Sequence, residues 1–384
     1  MPKKIVTIIG ARPQIIKAAA VSRAINQHFS ADLTEVIVHT GQHYDENMSQ
    51  VFFDELGIPA PNYNLQVGSG SHGKQTADMI TGIEHILMNE RPDFLLVYGD
   101  TNSTLAGSIA ASKIHIPIVH VEAGLRSFNK AMPEEINRIL CDHTSTLLFS
   151  PTVTGYNNLL KEGFKAQPTG VISADNPKIY HCGDVMYDNS LYFSELAKTK
   201  TTILQQLGLT ENGFILATIH RNNNTDEPER LNALFKSLLH IAETENLPVV
   251  LPLHPRTNKL LPSHLDAALL EQVRATPHFH IIPPASFLEM IVLEQNCQMV
   301  MTDSGGVQKE AFFFQKPCII FRHETEWTEL VSCGGAKIVD ANAQLIQQAF
   351  LHFKANLKSL TFPNFFGDGK AAEFICKEML ALNT

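Results

Sequence analysis

The feature that most constrains this chain is an alternation: short runs of β-branched and aliphatic residues take turns with longer amphipathic stretches. A strand, a helix and a further strand in that order require a crossover, and crossovers build parallel sheets with helices on both faces. In the first half the strands read as "KIVTII", "EVIVHT", "FLLVYGD", "IPIVHVEAG", "TLLFSP" and "IYHCGDV". In the second they read as "FILATIHR", "PVVLPLHPR", "FHIIPP", "CQMVMTD", "PCIIF" and "AKIVD". Between them, "GKQTADMITGIEHILMNE" is the clearest helix by apolar spacing. The reading is α/β, with two similar doubly wound domains joined near residues 186–195. Open parallel sheets bind ligands at the carboxyl ends of their strands, so the residues there carry the functional question.

Composition sets the outer limits. A chain of 384 residues has room for two cores, and 44% hydrophobic with 18% charged residues is ordinary for a soluble globular protein. No apolar stretch nears the length of a membrane span, and the apolar run in "MPKKIVTIIGARPQ" is too short for a signal peptide. A cytoplasmic protein without a membrane partner is expected. The formal charge of −9 argues against nucleic acid as a partner. Cys141, Cys182, Cys297, Cys318, Cys333 and Cys376 are scattered without ligand spacing, which reads as buried reduced thiols. The 17 histidines do not cluster, so no metal is expected. Gly-Ala-Arg-Pro follows the first strand where a dinucleotide fold would place Gly-x-Gly-x-x-Gly, and no nicotinamide or flavin cofactor is indicated.

Within this acidic chain, Arg12, Lys17, Arg221, Arg256 and Arg322 follow strands closely, the pattern of a small-anion binder. "TDSGGVQKEAFFF" runs from a strand through Ser304, Gly305 and Gly306 straight into a helix. A helix start of this kind exposes backbone N–H groups and partial positive charge to an anion, often a phosphate. A tight turn that simply needs glycine is the plainer alternative. Five more stretches place polar residues at the same edge. These are "GARPQIIK" (Arg12, Lys17), "VYGDTNST" (Asp100), "HVEAGLRS" (Glu122, Arg126), "MPEEINR" (Glu134, Glu135, Arg138) and "TIHRNNNTD" (His220, Arg221). Singly, Asp100 could form a turn, Glu134 and Glu135 could favour a helix start, and His220 could sit in the core. Jointly they put acids and cations repeatedly at one edge of each sheet.

Taken in order, "GARPQIIK", "HTGQHYD", "VYGDTNSTLAG", "HVEAGLRS", "MPEEINR", "GDVMYD", "HPRT", "TDSGGVQKEAFF" and "ETEW" resemble the non-hydrolysing UDP-N-acetylglucosamine 2-epimerase family. The resemblance runs from about residue 4 to about 340 and implies a glycosyltransferase-B type of fold, with two Rossmann-like domains facing a central cleft. It implies domains of residues 1–185 and 186–366, with a C-terminal helix at 367–384 completing the first. By matching motifs, Ser304, Gly305 and Gly306 would hold the diphosphate of a UDP-sugar, with Arg12 and Arg322 pairing to phosphate and Glu310 accepting from ribose hydroxyls. Asp100, Glu122 and Glu134 become the acid/base candidates, with Lys17 and His220 as electrostatic partners. A homodimer without a cofactor is implied as well. Many bacterial members bind a second UDP-sugar as an activator; Gln42, Gln75, Glu135 and His254 match that site, although Lys74 stands where arginine is usual.

Two motifs depart from the commoner family pattern. Ala11-Arg12-Pro13-Gln14 replaces Thr-Arg-Pro-Glu, and Thr325-Glu326-Trp327-Thr328 replaces Thr-Glu-Arg-Pro. Both variants resemble the subgroup acting on UDP-2,3-diacetamido-2,3-dideoxyglucuronic acid. The chemistry fits either sugar. C2 of an N-acetylhexosamine has no adjacent carbonyl to stabilise a carbanion, whereas breaking the C1–O bond to UDP acidifies the C2 proton. Such a route needs carboxylates near the sugar and cations near the departing diphosphate. The rivals are a B-type glycosyltransferase, a nucleotide-sugar sensor and a hydrolysing epimerase. A sensor would have no need of Asp100, Glu122 and Glu134, and no basic amphipathic segment marks a membrane-facing acceptor site.

Overall fold

The computed structural model describes residues 2–41 and 57–382. The chain divides into two compact units, Met1–Asn189 with Asn364–Thr384, and Ser190–Pro363. The strands of the first unit are β1 (Lys3–Ile9), β2 (Leu33–His39), β3 (Tyr63–Asn64), β4 (Phe94–Tyr98), β5 (Ile118–Val121), β6 (Leu147–Ser150) and β7 (Lys178–His181). They form one sheet in the order β3-β2-β1-β4-β5-β6-β7. The second unit contains β8 (Ile215–Thr218), β9 (Val249–Pro252), β10 (Phe279–Ile282), β11 (Met299–Thr302), β12 (Cys318–Ile320) and β13 (Ala336–Ile338). Their order is β10-β9-β8-β11-β12-β13. All the strand pairings are parallel.

The runs read from sequence carry these strands, with one addition. β3 is only two residues long, pairs Val38 with Tyr63 and His39 with Asn64, and is too short to show a pattern. The remaining strands are legible because parallel sheets are covered on both faces, which calls for continuous apolar runs. Ile5, Val6, Ile8 and Ile9 of β1 and all of β4 are buried. Each such aliphatic side chain contributes about 1.5–3 kcal/mol on burial. The helix Pro228–Glu245 shows the matching helical logic. Proline opens it, Leu231, Leu234, Phe235, Leu238 and Ala242 line one buried face, and Asn246 ends it in the left-handed conformation.

The C-terminal helix Ala371–Ala381 belongs to the first unit and packs on the helix Arg12–Ala24. Asp188 secures its start by accepting from the N–H groups of Ala371 and Ala372 at 3.2 and 2.8 Å. Near its end, Lys3 Nζ donates to the carbonyls of Met379 and Leu380 at 3.2 and 3.3 Å. The six cysteines are free thiols. Among the described residues no helix is long and apolar enough to cross a membrane, and no His/Cys/Asp/Glu group could hold a metal ion.

Candidate functional site

In each unit the strand order reverses once. β1 lies between β2 and β4, and β8 lies between β9 and β11. At such a reversal the loops leaving adjacent strands diverge to opposite faces and leave room at the strand ends for a ligand. The polar stretches singled out from sequence cluster at these two places.

In the first unit, buried Gln14 binds the edge together. Its Oε1 accepts from the N–H groups of Gly10 and Ala11 at 3.0 and 3.2 Å. Its Nε2 donates to the Tyr98 carbonyl and the Thr104 hydroxyl at 3.1 and 3.0 Å. This arrangement uses both ends of the amide, and a glutamate here would offer no donor for the last two. Arg12 stands exposed at the first helical position. Lys17 Nζ lies 2.5 Å from Glu122 Oε1, with side chains 12% and 11% exposed.

Glu122 adopts φ +72°, a conformation uncommon for a residue with a Cβ and often found where backbone strain serves a site. Its N–H and that of Ala123 both donate to the Phe149 carbonyl at 3.0 Å, which fixes the turn. Gly99 completes the arrangement. At φ +61° it also leaves space, because a Cβ there would sit 3.1 Å from Lys17 Nζ and 3.4 Å from Glu122 Oε1. The next residue, Asp100, receives Nε of Arg138 at 3.1 Å and a still closer Nη2 contact. Lys17, Glu122 and the Gly99–Asp100 turn are thus brought together.

The two carboxylates of "MPEEINR" divide in role. Glu134 is exposed in the first turn of the helix Pro133–Thr144. Glu135 is buried and accepts from the N–H groups of Ser127 and Phe128, both at 2.9 Å, and from Arg138 at 2.6 Å. Burial alone would raise its pKa, but these donors lower it below the usual carboxylate range. Arg138 therefore links Glu135 to Asp100.

Beneath these turns lies a buried charge network. His120, at 0% exposure, contacts Asp142 Oδ1 through Nδ1 at 2.7 Å and the Gly99 carbonyl through Nε2 at 2.8 Å. A carbonyl can only accept, and so can an ionised carboxylate, which requires both ring nitrogens to donate. His120 is accordingly an imidazolium. Burial opposes that charge, yet neighbouring Cys141 and Asp142 move its pKa well above the usual value. Asp142 also accepts from Arg126 at 2.7 Å and from the Gly124 N–H at 3.1 Å. Arg126 in turn forks onto Glu162 through two contacts of 2.7 Å. The network ties the turn bearing Asp100 to the turn bearing Glu122.

In the second unit, Asp303 is the organising group. Buried at the end of β11, it accepts from the N–H groups of His220 and Arg221 and from Asn224 Nδ2, at 3.0–3.2 Å. His220 Nδ1 lies 3.0 Å from Asp303 Oδ1. Burial would raise the Asp303 pKa, but His220, Asn224 and Arg221 bring it below its ordinary value. This contact fixes the His220 ring, whose side chain is 44% exposed.

Ser304 caps the helix Gly305–Phe313 and accepts from the Val307 N–H at 3.4 Å. Neither Gly305 nor Gly306 has a positive φ, so the turn does not need glycine for its backbone conformation. A Cβ on Gly305 would collide with Glu326 Oε1 at 2.4 Å, whereas one on Gly306 would meet, among the described residues, only Ser304 Oγ at 3.9 Å. Among the described residues the space beside Gly306 is open, so a tight turn does not account for glycine there. Arg322 is 7% exposed and donates to Glu326 at 2.8 Å. Buried Trp327 donates from Nε1 to the Gly305 carbonyl at 3.0 Å, and Lys309 lies 4.5 Å over its ring. Glu310 is half-buried on the same helix.

Of the residues matched to an activator site, Gln42 lies outside the described residues. Gln75 is buried in the first unit, accepting from Asn102 at 2.9 Å and donating to the Gly68 carbonyl at 3.1 Å. His254 belongs to the second unit, where it caps the helix Pro255–His264 and accepts from the Arg256 N–H at 3.3 Å. Sequence reasoning missed Asp142 and Asp303 as organisers. The Asp303 signal was present in "TDSGG", directly after a strand, but Asp142 gave none because it reaches His120 only across the fold.

Comparisons with known proteins identify the family to which this fold belongs. A sequence model of the family described as UDP-N-acetylglucosamine 2-epimerase matches residues 24–380. The UDP-2,3-diacetamido-2,3-dideoxy-D-glucuronate 2-epimerase of Pseudomonas aeruginosa is 49% identical over 90% of this chain and 91% of its own. A UDP-N-acetylglucosamine 2-epimerase homolog of Methanococcus maripaludis is 47% identical over 96% and 97%. The solved Methanocaldococcus jannaschii UDP-GlcNAc 2-epimerase, in complex with UDP-GlcNAc and UDP, is similar at a TM-score of 0.82 with 39% identity. It covers 98% of this chain and 99% of that one. With two Rossmann-like sheets and such similarity nearly end to end, this chain belongs to the UDP-N-acetylglucosamine 2-epimerase family, whose members are isomerases.

Proposed function

We propose that this protein is a non-hydrolysing UDP-sugar 2-epimerase that inverts C2 of UDP-N-acetylglucosamine, giving UDP-N-acetylmannosamine, or of a close derivative. The observation that carries the reading is the Glu122–Lys17 pair at 2.5 Å, set against the Gly99–Asp100 turn at the reversal of the first sheet. One carboxylate takes the C2 proton while the C1–O bond breaks, giving a 2-acetamidoglucal and UDP. UDP then returns to C1 and a proton is delivered to the opposite face of C2, so atoms and charge balance without a redox cofactor. Asp100, Glu122 and Glu134 serve as the acid and base groups. Lys17 and His220 steady the charge that develops on the departing diphosphate. Ser304, Gly305 and Gly306 hold that diphosphate at the helix start, Arg12 and Arg322 pair with it, and Glu310 accepts from the ribose.

A second substrate has its own support. The Pseudomonas aeruginosa relative at 49% identity is named for UDP-2,3-diacetamido-2,3-dideoxy-D-glucuronate, and Gln14 and Trp327 are the variants that resemble that subgroup. Incubating the protein with each UDP-sugar and separating the products chromatographically tests both readings. A manno-configured UDP-sugar from either substrate is expected. Free N-acetylmannosamine would show a hydrolysing enzyme, and loss of the sugar to an added acceptor would show a transferase. The same reading makes the protein a cytoplasmic homodimer, which sedimentation of the purified chain checks for subunit number. Activation by a second UDP-sugar through Gln42, Gln75, Glu135 and His254 belongs to it too; a sigmoidal rate curve is its expected sign.

A further inference from the structure

His120 is a buried charged group to which the proposed reaction gives no part. It lies on β5, sealed from solvent, and both ring nitrogens are committed: Nδ1 to Asp142 at 2.7 Å and Nε2 to the Gly99 carbonyl at 2.8 Å. Asp142 also pairs with Arg126, which pairs in turn with Glu162. Two cations thus face two carboxylates, and the charge on the ring is compensated where it is buried. The acceptor at the other end of the ring directly precedes Asp100. Gly99 also donates its N–H to the Val121 carbonyl at 3.0 Å, so β5 holds this residue at both of its polar atoms. A Cβ on Gly99 would lie 3.1 Å from Lys17 Nζ and 3.4 Å from Glu122 Oε1, which places the gripped residue against that pair. Asp100 itself is held separately. Asn137 Nδ2 donates to its carbonyl at 2.9 Å and Arg138 Nε to its carboxylate at 3.1 Å.

Building on the proposed reaction, we propose that His120 is a positioning residue for it, setting Asp100 against the Lys17–Glu122 pair through the Gly99 carbonyl. A peptide is planar, so a donor on that carbonyl fixes the plane from which Asp100 departs. A charged donor holds it about twice as strongly as a neutral one. Asp142 acts at one remove, keeping the imidazole protonated and its Nε2 turned to Gly99. The spacing of Asp100 from Glu122 thereby depends on a histidine that is closed off from solvent.

The test is steady-state kinetics of the full-length protein with the UDP-sugar it epimerises, UDP-N-acetylglucosamine or the diacetamido-glucuronate, for wild type, H120N and H120Q. UDP calorimetry and thermal melting accompany it. Asn places its amide nitrogen where Nδ1 lies, so H120N keeps the Asp142 contact and loses the Gly99 one; Gln reaches the position of Nε2 and does the reverse. H120N should lower kcat about 10²-fold while KM and UDP affinity stay within about threefold. H120Q should keep kcat within about tenfold of the wild type, although it melts lower. A merely structural histidine would give the other order, with H120Q the more damaged and kcat per folded molecule unchanged in both. Wild-type kcat in H120N, or a fall in H120Q as deep as in H120N, overturns the proposal. A wild type that epimerises neither sugar instead removes the reaction on which the proposal rests. Should H120N not fold, nitrogen NMR of histidine-labelled wild type decides, with H120Q identifying the missing signals. Both His120 ring nitrogens are expected to carry protons at neutral pH, and a bare Nε2 overturns the proposal because Gly99 would then have no donor.

Discussion

In the first unit, the charged groups at the strand ends are fastened to one another: Lys17 to Glu122, Arg138 to Asp100 and Glu135, His120 to Asp142. In the second, a single buried carboxylate, Asp303, gathers backbone N–H groups and one histidine ring, and the helix start at Gly306 stands beside open space. Both edges sit at the reversal of a parallel sheet, so topology supplies the place and the side chains decide its use. Interlocked carboxylates and cations hold proton-transfer groups in fixed geometry. Backbone donors at a helix start hold an anion without committing a side chain. Under the proposed function, one fold element, repeated, serves chemistry in one copy and nucleotide retention in the other.

If that division is right, changes at the two edges should separate rate from affinity. The largest effect is expected for Glu122→Gln, which should lower kcat by about 10³–10⁴-fold while UDP affinity stays within about threefold. Steady-state kinetics with UDP calorimetry checks it, and equal losses in both quantities would erase the distinction. Next comes the network that holds the first edge. Asp142→Ala leaves His120 and Arg126 buried without their shared carboxylate and should cost about 3–5 kcal/mol in urea unfolding.

The first edge also contains a histidine of the opposite kind. His39 is buried at the end of β2, its Nδ1 accepts from the Gly41 N–H at 2.9 Å, and burial lowers its pKa to about 4. Between about 4 and the ordinary 6.5 the unfolded chain binds more protons than the folded one, so stability rises with pH across that window. The contribution is complete above the ordinary value and disappears as pH falls through the folded value, amounting to about 3 kcal/mol. Urea midpoints across this range should show the limb in the wild type and lack it in His39→Gln. The smallest effect is expected at the second edge. Gly306→Ala fills open space without straining the backbone, and should weaken UDP about tenfold, near 1.4 kcal/mol, with an unchanged melting temperature.

Much of this was legible in the sequence. The twelve longer strands could be read because both faces of each sheet are buried and the apolar runs are continuous. The polar stretches at their ends marked both edges. Strand order was not legible, since parallel crossovers leave no local sign of which neighbour a strand joins, and the reversals at β1 and β8 emerged only in the fold. Nor were the functions of equivalent-looking residues. Glu134 and Glu135 are adjacent, yet a helical turn exposes one and buries the other against Ser127, Phe128 and Arg138. Asp142 reads as an ordinary helix residue until the fold sets it against His120.

The most direct test of the central claim is proton NMR of the purified protein with its UDP-sugar in heavy water. UDP-N-acetylglucosamine is tried first and the diacetamido-glucuronate second. Deuterium incorporated at C2 together with the manno epimer is the expected result, because elimination and re-addition must exchange that proton with solvent. A folded protein that binds UDP and yet exchanges neither sugar would contradict the account.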